Sequence, residues 1–184
     1  MKYINPAKLL PGDIILTTSM SILGTIIRRR TWPRKGWFDM SCATHTAVVC
    51  DRGGGLYYAC EMLGGGIEMS ELSRYDNKPR SWRQHIIAVR RHPSFAQKGD
   101  DALDKRDKAC RYMIDTHSFN VRYGYDKLWE MLFPKAPDNP YTMICSQWAY
   151  RVFDRCGVSM PFRDLCTPAD WQNWSGLMDI QFSS

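Results

Sequence analysis

Between Thr44 and Leu63 the chain carries two β-rich runs, THTAVVC and LYYACEML, on either side of the cluster Gly53, Gly54, Gly55. β-Branched and aromatic runs around a glycine break read as a β-hairpin, which commits this region to antiparallel pairing. Two more strand candidates flank it: Asp13 to Thr17, after the breaker Pro11-Gly12, and residues 85–92, HIIAVRRH.

Helical patterns follow the first strand and fill the second half. Thr18 or Ser19 is placed to cap a helix whose Ile22, Leu23, Ile26 and Ile27 share a face and whose last turn holds Arg28, Arg29 and Arg30. Cations there complement the negative helix end, or else gather an anionic ligand. Leu103, Cys110, Ile114 and His117 recur at helical spacing, and Tyr125, Leu128, Trp129, Leu132 and Phe133 form a stripe that ends at Pro134. Pro134, Pro137 and Pro140 bound a rigid loop. Trp148, Ala149, Val152, Phe153 and Cys156 mark a last helix that opens at Cys145, follows the β-like segment Tyr141 to Ile144 and stops at Gly157. The aromatic segment 31–44, with Trp32, Trp37 and Phe38, reads as a loop that walls a cleft.

No repeat or linker divides these patterns, so 184 residues with 44% hydrophobic content are expected to form a single domain, 1–184. No stretch reaches the roughly 18 consecutive apolar residues of a membrane span. MKYINPAKLLPGDIIL lacks the unbroken apolar run of a signal peptide, which gives a cytoplasmic expectation, with delivery to the cell envelope by another route left open. The net charge of +6 tilts the chain toward anionic partners. Seven cysteines, an odd number without regular spacing, read as reduced thiols rather than a disulfide framework.

A cysteine at the first turn of a helix has its thiolate favoured by unpaired N–H groups and the helix dipole, which makes Cys145 a candidate nucleophile. It also fits the apolar stripe with Trp148 and Ala149, as a simply buried thiol would. Four histidines are available as its base: His45, His85, His92 and His117. His117 belongs to an amphipathic stripe, and His92 lies beside Arg90 and Arg91, which disfavour its protonation. His85 opens a strand and stays possible. His45 shares a strand face with Ala47 and Val49, where small neighbours leave room for the ring.

An odd-length hairpin loop centred on Gly53 sets His45 directly opposite Glu61, whose carboxylate can then orient the imidazole. A four-residue loop puts Cys60 or Met62 there instead. Cys42, His45, Cys50 and Cys60 raise the question of a metal, but Cys50 and His45 point to opposite faces of one strand, which does not suit a tetrahedral site. No cofactor and no metal is expected.

PGDIIL, ILGTIIRRRT, THTAVV, the glutamate before a glycine-rich turn, and the late CSQWAY and TPADW come in an order that resembles a known family. It is similar to the circularly permuted branch of the NlpC-type, papain-like cysteine hydrolases, the YiiX-like proteins, related to lecithin retinol acyltransferase. The resemblance runs from Pro11 to Trp171. It implies Cys145 as nucleophile, His45 as base and Glu61 as the polar residue that orients the histidine. It implies an α+β fold, papain-like and permuted, in which a small antiparallel sheet packs against helices and the Cys145 helix end faces the sheet edge that bears His45.

The expected function is that of a thiol hydrolase of amidase, peptidase or esterase type, acting through an acyl-enzyme on a small-molecule, peptide or lipid substrate, anionic by the charge balance. A cell-wall peptide or an acyl lipid fits the family. Two alternatives stand beside it: an acyltransferase, and an inactive module that holds an anionic polymer with Arg28 to Arg30, Arg90 and Arg91. A nucleic-acid partner is not expected. Trp32, Trp37 and Tyr123 are the candidate cleft walls.

Overall fold

The computed structural model describes residues 4–32, 39–75, 85–118, 121–124 and 142–180. It is an α+β fold whose spine is a six-stranded antiparallel sheet in the order β4-β3-β2-β1-β5-β8. The strands are β1 (Ile14–Thr18), β2 (His45–Asp51), β3 (Tyr57–Leu63), β4 (Gly66–Glu71), β5 (His85–Arg91) and, near the C-terminus, β8 (Met178–Ile180). A separate short parallel pair, β6 (Arg122–Tyr123) and β7 (Thr142–Met143), precedes the last helices. The helices are α1 (Ile22–Thr31), α2 (Pro93–Ala96), α3 (Asp100–His117), α4 (Cys145–Arg155) and α5 (Pro168–Asn173).

β1 is buried along its whole length, as a strand with neighbours on both sides and cover on both faces must be. Its residues alternate between two cores. Ile14 and Leu16 join Val48, Cys60 and Met62 on the face covered by Met113, Trp148, Val152, Phe153 and Trp171. Ile15 joins Ala47, Val49, Ala59 and Val89 on the other face, closed by Ile4, Leu9 and Tyr75. Trp148 and Trp171 are fully buried, and a buried aromatic of this size stabilises the fold by about 2–3 kcal/mol.

In the PGD turn that starts β1, the glycine and the aspartate each have a structural reason. Gly12 has φ +89°, and a Cβ there would lie 3.0 Å from the Phe95 ring. Asp13, fully buried, accepts from the Leu10 N–H at 2.8 Å and from Arg91 Nε and a terminal nitrogen at 2.6 and 2.7 Å. Burial pushes the Asp13 carboxyl up against the pull of Arg91. Arg91 is thereby committed to the fold. So is Arg90, which binds Asp179 and the carbonyls of Gln172 and Leu177. The pair is not available to an anionic polymer, contrary to the binding-module expectation.

Three helical expectations are corrected. Ser21, not Thr18 or Ser19, caps α1 through a 3.0 Å bond from the Gly24 N–H. The apolar face of α1 is also not its packed face: Ile27 is buried, whereas Ile22 is 81% exposed and Ile26 43%. Arg28 takes the buried position, donating to Thr18 Oγ1 at 3.0 Å and the Ser19 carbonyl at 2.8 Å. In α3 the buried line is Ala102, Ala109, Met113 and Thr116, with Leu103 and Ile114 turned outward. Small residues seat that helix on the sheet more closely than the larger aliphatics would. The expected stripe Tyr125 to Phe133 and the loop bounded by Pro134, Pro137 and Pro140 lie outside the described residues, as do Trp37 and Phe38.

Candidate functional site

Cys145 is the first residue of α4, and the chain reaches it directly from β7 through Ile144. The α4 stripe Trp148, Ala149, Val152, Phe153 and Cys156 is buried, and Gly157, at φ +69°, ends the helix. Its first turn is clamped from the side. Ser146 Oγ donates to the Cys166 carbonyl at 2.7 Å, and the Ser146 carbonyl accepts from Cys166 Sγ and Trp171 Nε1, each at 3.2 Å. Trp171 is held in turn by α5, where Thr167 and Asp170 form a reciprocal capping box. The TPADW segment thus fixes the position of the Cys145 turn.

His45 opens β2, an interior strand between β1 and β3, so it is carried by a strand end and not by the sheet edge that was expected. It pairs with Thr17 of β1. The segment leading into it is tied down by Gln172, whose Oε1 accepts from the Ala43 N–H at 2.6 Å and whose Nε2 donates to the Ser41 carbonyl at 2.8 Å.

The hairpin is odd in length, as one of the two loop alternatives required, but its centre is Gly54: five residues, Arg52 to Leu56, separate the strands. The partner of Glu61 is therefore Ala47, not His45. His45 and Glu61 are diagonal neighbours on one face, and the two side chains span the offset, with Nε2 2.7 Å from Glu61 Oε2. The three consecutive glycines, all at positive φ, allow the turn that sets this register.

Glu61 is fully buried, yet its carboxyl is held below the ordinary value. Burial pushes it up; hydrogen bonding and charge from His45, with hydrogen bonds from Tyr75 and Ser70, outweigh that. With Nε2 committed to Glu61, Nδ1 is the nitrogen left for the thiol, and the Cys145 and His45 side chains are hydrogen-bonded. Burial alone would lower the His45 pKa, but the Cys145 thiolate and the Glu61 carboxylate push it up to about 10. The Cys145 thiol is drawn down despite its burial, by the imidazolium charge and hydrogen bond and by the N–H groups of Thr46 and Ser146. The site favours a thiolate–imidazolium pair backed by a carboxylate.

The other thiols behave differently. Burial drives Cys60 and Cys166 up and pushes Cys156 up to about 12. Cys110 is drawn down by a hydrogen bond from Cys50, whose own thiol is driven up by the same contact. None of the seven cysteines, all of them described, is in a disulfide.

Of the remaining histidines, His85 starts β5 and lines a separate groove with Met40, Ser41 and Gln172. His92 caps α2 and has its pKa lowered, by burial and Lys105 rather than by Arg90 and Arg91. His117 is exposed at the end of α3. A cavity of about 130 Å³ opens beside His45, walled by Ser19, Ser21, Leu23, Ile27, Met62 and Tyr123. Tyr123 thus lies where a cleft wall was expected. Trp32 does not; its indole donates to the Ala43 carbonyl at 3.4 Å.

The residues that sequence reasoning missed are Tyr75 and Ser70 behind Glu61, Gln172 behind the His45 strand and Ser146 beside Cys145. Their signals were weak, because each acts through a long-range contact that no local spacing encodes.

No protein-family profile and no curated protein matches the chain. Among solved structures it is similar to that of metalloprotein YiiX from Escherichia coli O157:H7, with a TM-score of 0.65, 13% identity, and coverage of 96% of this chain and 98% of that one. The likeness shows a shared YiiX-like α+β fold. That neighbour is described as a metalloprotein; among the described residues of this chain no group of three or more His, Cys, Asp or Glu side chains is arranged to hold a metal ion. No described helix is long and apolar enough to cross a membrane.

Proposed function

We propose that the protein is a thiol hydrolase, cleaving an amide or ester through Cys145, His45 and Glu61 in a permuted papain-like arrangement. The observation that carries the reading is the buried line from the Cys145 thiol through the imidazole to Glu61 Oε2, with the thiol at a helix N-terminus. A thiol whose pKa is drawn down in a fully buried place, against the trend of Cys60 and Cys166, is arranged for nucleophilic chemistry rather than packing.

In this mechanism the proton of Cys145 resides on His45 before substrate binds. The thiolate sulfur attacks the carbonyl carbon, forming the C–S bond while the carbonyl π electrons move to oxygen. The Cys145 N–H, at the first position of α4, is the oxyanion donor supplied by the helix end. As the oxyanion collapses, the C–N or C–O bond breaks and His45 gives its proton to the leaving amine or alkoxide. His45 then takes a proton from water, which attacks the thioester and releases the acid and the thiolate. Glu61 holds the imidazolium and its orientation without being protonated.

The substrate class is an amide or ester with a small group next to the carbonyl: the cavity beside His45 has about 130 Å³, similar to the volume of roughly 150 Å³ that accommodates one benzene ring. Its walls mix the apolar Leu23, Ile27 and Met62 with the polar Ser19, Ser21 and Thr44. The test is hydrolysis of p-nitrophenyl acetate and longer p-nitrophenyl esters: turnover should fall with acyl length and vanish in Cys145→Ala. Turnover retained in Cys145→Ala removes the proposal.

A further inference from the structure

The outward face of α1 exposes large apolar side chains. Ile22 is 81% exposed, with Met20, Leu23 and Ile26 between 36 and 43%. These four side chains cluster around the first two turns, and no polar residue of that face interrupts them except Thr25, which is half-buried. The last turn carries exposed Arg29 and Arg30. Helical spacing puts Arg29 seven residues after Ile22 and three after Ile26, and Arg30 seven after Leu23, so the arginines continue the apolar stripe. Arg28, which points the other way, is buried and anchors the helix to Thr18 and Ser19.

We infer that this face of α1 docks on an anionic lipid bilayer, its first turns entering the headgroup–acyl boundary and Arg29 and Arg30 binding lipid phosphates. The composition of the face supports this occupant. A helix lying in the interface plane buries the apolar side chains in the headgroup–acyl boundary and brings cations on the same face to the lipid phosphates. Arginine reaches phosphates with its stem still against apolar surface. A nucleic acid would use the arginines and leave three large aliphatic chains in water. The chain's net charge of +6 adds attraction to an anionic surface.

The site gives this placement its consequence, and that part rests on the hydrolase reading. Ser21, Leu23 and Gly24 of the same first turn line the cavity beside His45. Docking through Ile22 and Ile26 holds the mouth of that cavity at the membrane surface.

The experiment is co-sedimentation of the full chain with sucrose-loaded vesicles of phosphatidylcholine alone and of phosphatidylcholine mixed with phosphatidylglycerol. Binding to the mixed vesicles, weakening as salt rises and much lower on phosphatidylcholine alone, is the expected result. I22S/I26S should lower the binding constant at least about tenfold, and R29Q/R30Q about thirtyfold. Unchanged thermal unfolding midpoints certify that both double variants fold, since these side chains are exposed. No binding to mixed vesicles overturns the inference, as does equal binding by I22S/I26S. Self-association on gel filtration that I22S/I26S abolishes, without vesicle binding, assigns the face to a second copy and also overturns it. The native chain and Cys145→Ala read the hydrolase proposal separately: vesicle binding with no p-nitrophenyl acetate hydrolysis by the native chain, or with hydrolysis retained in Cys145→Ala, leaves the docking surface standing and removes the enzyme.

Discussion

His45 Nε2 lies 2.7 Å from Glu61 Oε2 although the two residues are not cross-strand partners; Glu61 pairs with Ala47. The diagonal matters because a glutamate is long enough to cross it and an aspartate is not. Glu61→Asp should therefore disrupt the contact nearly as much as Glu61→Gln, which keeps the reach and loses the charge. In Glu61→Gln the His45 pKa should fall from its raised value, and hydrolysis should drop by about a hundredfold or more. NMR titration of His45 and steady-state kinetics check the two parts.

The pH profile follows from the directions of the shifts. Activity should rise as Cys145 loses its proton, below the ordinary thiol value of 9.0, and fall as His45 loses its proton near pH 10. Stability should follow the same groups. Glu61 is depressed, so its contribution is fully present above its unfolded value of about 4.5 and is lost as pH falls through the folded value. His45 is raised, so its contribution is fully present below its unfolded value of 6.5 and is lost as pH climbs through about 10. Denaturant midpoints across this range check the signs.

Arg91→Ala should destabilise the fold by about 3–5 kcal/mol, because it leaves the fully buried Asp13 carboxylate without its two guanidinium bonds. Asp13→Asn with Arg91→Ala should cost less than the sum of the single changes. A double-mutant cycle in urea measures the difference.

Gln172→Ala should affect the site without touching it. Its amide holds both Ser41 and Ala43, four and two residues ahead of His45. The expected result is a drop in the alkylation rate of Cys145 and a shift in the His45 titration, with a loss of about 1–3 kcal/mol in stability from the unpaired Ala43 N–H. A merely structural role would change stability alone.

Much of the α+β fold was legible locally. The glycine cluster announced the hairpin, and the stripe from Cys145 to Cys156 announced α4, because strand and helix periods are written in neighbouring residues. What failed was the choice of face and register. Ile22 and Ile26 look like core by hydrophobicity, but Arg28 occupies the inward position because Thr18 and the Ser19 carbonyl give its guanidinium partners. In α3 the buried line uses Ala102 and Ala109, small enough to sit close to the sheet, over the larger Leu103. The hairpin centre slipped by one residue, from Gly53 to Gly54, since three successive glycines accept positive φ equally well. Of the candidate site, Cys145, His45 and Glu61 were singled out by spacing and resemblance, and they lie together in space. Tyr75, Ser70 and Gln172 were not, because their contacts depend on how separate elements dock.

The account is tested most directly by the rate of iodoacetamide alkylation of each cysteine between pH 4 and 9, read by peptide mass spectrometry in the native protein and in His45→Ala. Cys145 should react well below pH 8.5, unlike Cys60, Cys156 and Cys166, and should lose that reactivity in His45→Ala; partly exposed Cys110 should react independently of His45. A Cys145 as inert as Cys60, or one whose rate is untouched by removing His45, would contradict the thiolate–imidazolium pair and with it the hydrolase.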